Sequence, residues 1–195
     1  MANIMLFSSI ASAIVNLVAV PSHAQTAFVL GGGFAKECYI AVKSGSPARA
    51  ARAVCTRALE DEALSTKDRA ATFVNRGIIS VRERDASAAL SDFNAALGLN
   101  PGLSAGFLNR SGAYLLQGRW LEARIDADTA IGIGLNEDTW AGYFNKGIAL
   151  EQMGQINEAY AAFQQSARFA PDRDDVRIEL ERFRVEPSGQ TPQNR

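Results

Sequence analysis

The sequence predicts an all-α protein built from stacked helix hairpins, and three observations predict it. A short segment recurs in register: Phe73-Val74-Asn75-Arg76-Gly77, then Phe107-Leu108-Asn109-Arg110-Ser111 34 residues on, then Tyr143-Phe144-Asn145-Lys146-Gly147 a further 36 residues on. Behind each copy lies a second pattern of small and aromatic residues: Ala89, Phe93 and Ala96, then Ala123, Ala127 and Ala130, then Ala159, Phe163 and Ser166. Pro101 and Pro171 then stand where the first and third units must turn, because proline cannot continue a helix. A unit of this length cannot bury its apolar side alone, so its copies must stack on one another.

In chain order, residues 1–24 carry no Lys, Arg, Asp or Glu, and Met5 to Val20 is mostly apolar. Pro21-Ser22-His23-Ala24 places small residues at the −3 and −1 positions of a cut before Gln25. This reads as a secretory signal peptide, with an uncleaved anchor as the alternative. Residues 25–34, with Gly31-Gly32-Gly33, form a flexible lead-in to an ordered domain over 35–186. A degenerate hairpin is expected over about 35–66, with Ala35, Tyr39 and Val42 before the Ser44-Gly45-Ser46-Pro47 turn and Ala51, Cys55, Ala58 and Leu59 after it. Three full units follow at about 70–103, 104–139 and 140–173. In the first, Phe73, Gly77, Ile78 and Val81 fall largely on one helical face, and Ala89, Leu90, Phe93, Ala96 and Leu97 form an i, i+3/i+4 stripe. Mid-helix Gly costs about 1 kcal/mol against Ala, so Gly77 and Gly147 make sense where packing recovers that cost. The second unit has Ala127 where the others have Phe and closes on Leu135 rather than Pro; its extra residues lengthen the turn at Gly132–Asp138. Val176, Leu180 and Phe183 give a capping helix over 174–185, and the polar 187–195 is a disordered tail.

Composition excludes several functions. The 195 residues carry 20 Lys+Arg against 21 Asp+Glu, so the broad positive field that drives nucleic-acid binding is absent. His23 is the single histidine, and cleavage before Gln25 would remove it. A chain without histidine has no Ser-His-Asp or Cys-His catalysis and no His-based zinc site. Carboxylate or lysine chemistry is what remains, yet there are only four lysines (Lys36, Lys43, Lys67 and Lys146), Asp126 and Asp128 are i and i+2 on a helix and point apart, and Glu60/Asp61/Glu62 and Asp174/Asp175 sit in a turn or at a helix start. No phosphate-binding or dinucleotide fingerprint is present. No enzyme activity, catalytic residue, metal or cofactor is therefore expected; a carboxylate-based hydrolase is the enzymatic alternative. Cys38 and Cys55 fall near the middles of two helices joined at residues 44–47, an arrangement that lets them face each other in an antiparallel pair. Export would put them in an oxidising compartment, where a disulfide is the natural reading, with two buried free thiols as the alternative. The 16-residue loop it closes is worth about 3 kcal/mol in the chain-entropy model.

Over about residues 70–171 the repeat resembles the tetratricopeptide repeat, whose pattern is W-x2-L-G-x2-Y…A-x3-F…P. Phe or Tyr replaces the Trp, and Arg76, Arg110 and Lys146 stand where Leu is usual. The resemblance implies a right-handed α-solenoid of about three hairpins whose first helices line a concave groove, and a non-catalytic protein-interaction module. It places Asn75, Asn109 and Asn145 on the groove face. Asn is a poor mid-helix residue, so three in register call for a reason: amides for the backbone of an extended peptide or partner helix, or bonds to a neighbouring helix. The same face adds Ile78, Val81 and Arg82, then Gly112 and Leu116, then Ile148 and Gln152. With Arg82 as the main basic residue there, a clamp for acidic C-termini is not favoured. Arg76, Arg110 and Lys146 are expected to pack their stems along the solenoid with solvated heads. The expected setting is periplasmic or secreted, with no membrane contact after signal cleavage and an unidentified protein or peptide partner. Self-association is possible, and a self-assembling structural solenoid is the alternative.

Overall fold

The structure, a computed structural model, describes residues 33–134 and 136–183. The expected signal peptide, most of the lead-in, Leu135 and the tail lie outside the described residues. Those residues form nine α-helices: α1 (Gly33–Lys43), α2 (Ala48–Asp61), α3 (Thr66–Arg82), α4 (Ala86–Leu99), α5 (Ser104–Leu116), α6 (Trp120–Ile133), α7 (Thr139–Gln152), α8 (Ile156–Phe169) and α9 (Asp174–Arg182). A 3-10 turn at Asn136–Asp138 occupies the longer connection before α7. Each helix packs on its chain neighbours, and α1, α3, α5 and α7 also touch in series. Helices α1, α3, α5 and α7 thus form one layer and α2, α4, α6 and α8 the other, with α9 closing the end against α8.

Local chemistry sets the boundaries. Ser65 starts α3: its Oγ accepts from the Asp68 N–H at 3.0 Å and donates to the Asp68 carboxylate at 2.7 Å. Asp85 starts α4 by accepting from the Ala88 N–H at 3.0 Å. The tight turn inside each hairpin needs one residue in the left-handed region. Gly118 (φ 70°) and Gly154 (φ 76°) supply it in the second and third units, and Arg84 (φ 60°) holds the same register position in the first. A side chain there costs roughly 1 kcal/mol. Arg84→Gly is therefore expected to raise stability by about 0.5–1 kcal/mol in urea titration, whereas Gly118→Arg should lower it.

The buried core falls into two clusters, one across α1–α5 and one across α5–α9, with Tyr114 packed against both. Phe93 and Phe163 are fully buried, each lying against the glycine of its own hairpin. A β-carbon on Gly77 would stand 2.4 Å from Phe93 Cε1, and one on Gly147 would stand 2.7 Å from Phe163 Cε1. In the second unit the corresponding positions carry Ser111 and Ala127, both buried, so that hairpin has no Gly–Phe pair. Cys38 and Cys55 are disulfide-bonded, with Cα atoms 4.7 Å apart, and both are buried. They tie α1 to α2, while Glu62 accepts from the Ala35 N–H at 2.9 Å and so covers the start of α1. At the other end Val176 is buried, and the Phe183 ring packs 5.7 Å from both Tyr160 and Phe163. Among the described residues no helix is long and apolar enough to cross a membrane.

Candidate functional site

The ten residues expected to line the groove separate into two sets. Asn75, Asn109 and Asn145 are buried, at 0%, 6% and 3% exposure, and Ile78, Val81, Gly112 and Ile148 are buried with them. Asn145 reaches across the stack: its Nδ2 donates to Ser111 Oγ at 2.7 Å and to the Leu108 carbonyl at 3.4 Å, joining α7 to α5. Asn109 Nδ2 donates to the Ala105 carbonyl one turn back at 2.8 Å. Of the two readings of the series, the bond to a neighbouring helix describes Asn145 directly. Arg82 is exposed, and Leu116 and Gln152 are half-buried. These three lie 34 and 36 residues apart, the repeat register itself, and mark the C-terminal turns of α3, α5 and α7. Unlike the asparagines, these three are accessible to solvent. Partial burial draws the Arg82 guanidinium below its ordinary pKa.

The cations beside the asparagines behave differently from the solvated heads expected of them. Arg76 donates from Nε and Nη2 to the two Asp92 oxygens at 2.9 and 2.7 Å. Arg110 does the same to Asp126 at 2.6 and 2.9 Å. Asp92 and Asp126 are nearly buried, so these are bidentate, charge-assisted bonds between the two helices of one hairpin. The bonds to Asp92 and Asp126 hold both guanidinium groups above their ordinary pKa, against the opposing effect of burial. The remaining Nη1 of each reaches the preceding unit, Arg76 to Thr56 Oγ1 at 3.3 Å and Arg110 to Asn94 Oδ1 at 2.8 Å. Each Arg also lies over the aromatic one turn before it, 5.6 Å from the Phe73 centroid and 5.3 Å from that of Phe107. The Arg-to-Asp spacing of 16 residues was visible in the sequence, but only a paired-helix geometry gives it meaning.

The third unit breaks this pattern. Ala162 stands where Asp92 and Asp126 stand, and Lys146 instead pairs with Asp128 of α6 at 2.7 Å. Arg124 shares Asp128 at 3.1 Å. Asp126 and Asp128 thus diverge to different partners and form no common acid pair. Around Ala162 the surface opens into a recess of about 610 Å³ walled by α6, α7 and α8, with Arg124, Lys146, Leu150, Met153 and Gln165 among its lining. None of the ten groove residues lines it. Among the described residues no cluster of His, Cys, Asp and Glu could hold a metal ion.

No family sequence model matches the chain, and no curated protein sequence matches it. Solved structures do. The Arabidopsis OM64 TPR domain superposes with a TM-score of 0.58 at 20% identity, over 62% of this chain and 98% of that one. The second TPR domain of human RPAP3, solved in complex with the HSP70 peptide SGPTIEEVD, gives 0.55 at 21% identity, over 60% and 97%. The MamA RS-1 ArsTM double mutant gives 0.60 at 16% identity, over 75% and 79%. With the hairpin register, the buried Gly–Phe pairs and these superpositions together, the chain has the tetratricopeptide-repeat fold.

Proposed function

We propose that the chain is a non-catalytic protein-interaction module that holds an extended segment or a helix of a partner protein across the first-helix layer. The observation that carries the reading is the row Arg82, Leu116 and Gln152, one accessible residue per repeat at matching register. A stacked array presents such a row as a long, regular surface. The peptide held by the similarly folded RPAP3 domain is consistent with this use. The row offers one cation, one aliphatic side chain and one amide, which suits a partner segment of mixed character rather than a strongly acidic terminus. An exported setting, periplasmic or secreted, fits the apolar residues 5–20 and the disulfide of Cys38 with Cys55.

Site-specific photocrosslinking in the source cell tests the proposal. A photoreactive residue at Leu116 is expected to capture a discrete protein partner, and the same group at exposed Ser91 on α4 is not. The purified partner is then expected to lose at least about tenfold in affinity for the Arg82→Ala/Leu116→Ala/Gln152→Ala chain, the range of one or two lost contact residues. Identical adducts from both positions would remove the first-helix layer as the interface.

A further inference from the structure

From the recess at Ala162 we infer a second binding site, in the trough walled by α6, α7 and α8, that takes a peptide segment presenting an Asp or Glu side chain beside an apolar one.

The inference rests on comparing the chain with itself. In the first and second units the trough between consecutive second-layer helices is closed by a carboxylate from the unit's own second helix, Asp92 or Asp126, held by two guanidinium bonds. The third trough keeps a cation at the same register, Lys146, but its counterpart to those carboxylates is Ala162, which ends at Cβ. The first trough carries a further ion pair, in which Arg52 meets Glu83. In the third, the cation recurs as Arg124, and Met153 stands where Glu83 stood. Two cations are thus retained while both carboxylates that closed the first trough are gone. Asp128 returns one of them, from the neighbouring helix, and bonds to both cations.

The balance remains one carboxylate short at the position of Ala162. A lysine ammonium has three donors, and Asp128 is the ion-pair partner of Lys146 among the described residues. Glu158 also lines the recess, but it is exposed and lies within ion-pair distance of neither cation. Its charge opposes an acidic ligand without filling the gap. The remaining walls fit a peptide rather than a bare anion. Leu150 and Met153 offer apolar surface, and the Gln155 and Gln165 amides can each donate to and accept from an extended backbone. A peptide carboxylate seated over Ala162 would meet Lys146 as Asp92 and Asp126 meet their arginines.

Calorimetric titration of the full chain with the capped peptide acetyl-Leu-Ala-Asp-Ala-Leu-amide tests this, with amide NMR shifts locating the site. Saturable binding is expected, with shifts at Lys146, Ala162 and Gln165. The Asn analogue is expected to bind at least about tenfold more weakly, since it forfeits a charge-assisted bond. Ala162→Asp supplies the missing carboxylate internally and is expected to abolish binding without lowering the melting temperature, whereas Glu158→Gln should tighten it severalfold. Equal affinity for the Asp and Asn peptides, or unchanged binding by Ala162→Asp, overturns the site. Acetate binding as tightly as the peptide overturns the peptide assignment. The Arg82→Ala/Leu116→Ala/Gln152→Ala chain is expected to bind this probe normally, so failure of the first-helix row and failure of this site are separately visible.

Discussion

Gly147→Leu is expected to destabilise the chain by about 2–4 kcal/mol, lowering the melting temperature by roughly 10 °C. Even a β-carbon at residue 147 would stand 2.7 Å from Phe163 Cε1, and Phe163 is fully buried, with Phe144 packed edge-on at a 5.6 Å centroid distance. The ring has nowhere to retreat, so the helices must part. Leu is the better helix former by roughly 0.8–1 kcal/mol, and that gain only partly offsets the overlap. Gly98, in α4, provides the control: nothing lies within 4 Å of the β-carbon it lacks. Gly98→Ala should leave the melting temperature unchanged or raise it by a degree or two. Adding Phe163→Ala to Gly147→Leu should cost less than the sum of the two single changes, because the cavity from one receives the side chain of the other. Additive losses, or an unchanged melting temperature for Gly147→Leu, would mean that the glycine is not there for packing.

That pairing shows what a sequence discloses and what it withholds. The hairpin period, the Gly77 and Gly147 positions and the Ala-x3-Phe stripes are local patterns, so they are readable without coordinates. The second unit's departures looked like separate losses, Ser for Gly and Ala for Phe. They fall at the two positions that meet as Gly and Phe in the other units, and that correspondence becomes visible only when residues 16 apart are known to touch. The same holds for Arg76 and Arg110. A long cation on an amphipathic helix ordinarily reaches solvent, and nothing local says that a buried carboxylate waits on the next helix. The asparagine series was legible as a pattern, but its direction was not. A few tens of degrees of helix rotation separate a groove-lining amide from one turned into the seam, and the structure turns Asn145 toward Ser111. Left-handed Arg84 was equally hidden, because Gly118 and Gly154 advertise the turn and Arg does not.

Asp126→Ala is expected to cost about 2–3 kcal/mol in urea titration, with the slope against denaturant unchanged. Its carboxylate receives both parallel bonds from Arg110, and its side chain is 6% exposed. Removing it leaves Arg110 partly buried, with Asn94 still accepting from Nη1 but no anion, and stranding a charge costs more than never having placed one there. Arg110→Met added to Asp126→Ala should therefore recover part of the loss, since the stem continues to cover Phe107 and the orphaned charge is gone. Asp128→Ala, two residues on, is the informative contrast. That side chain is 36% exposed and serves Arg124 and Lys146 at the surface, so its loss should stay below about 1 kcal/mol. Equal costs at Asp126 and Asp128 would show that the paired carboxylate of each hairpin carries no special weight. The alanine at residue 162 would then be an ordinary substitution rather than a vacancy among cations, and the recess beside it would have no reason to prefer an acidic guest.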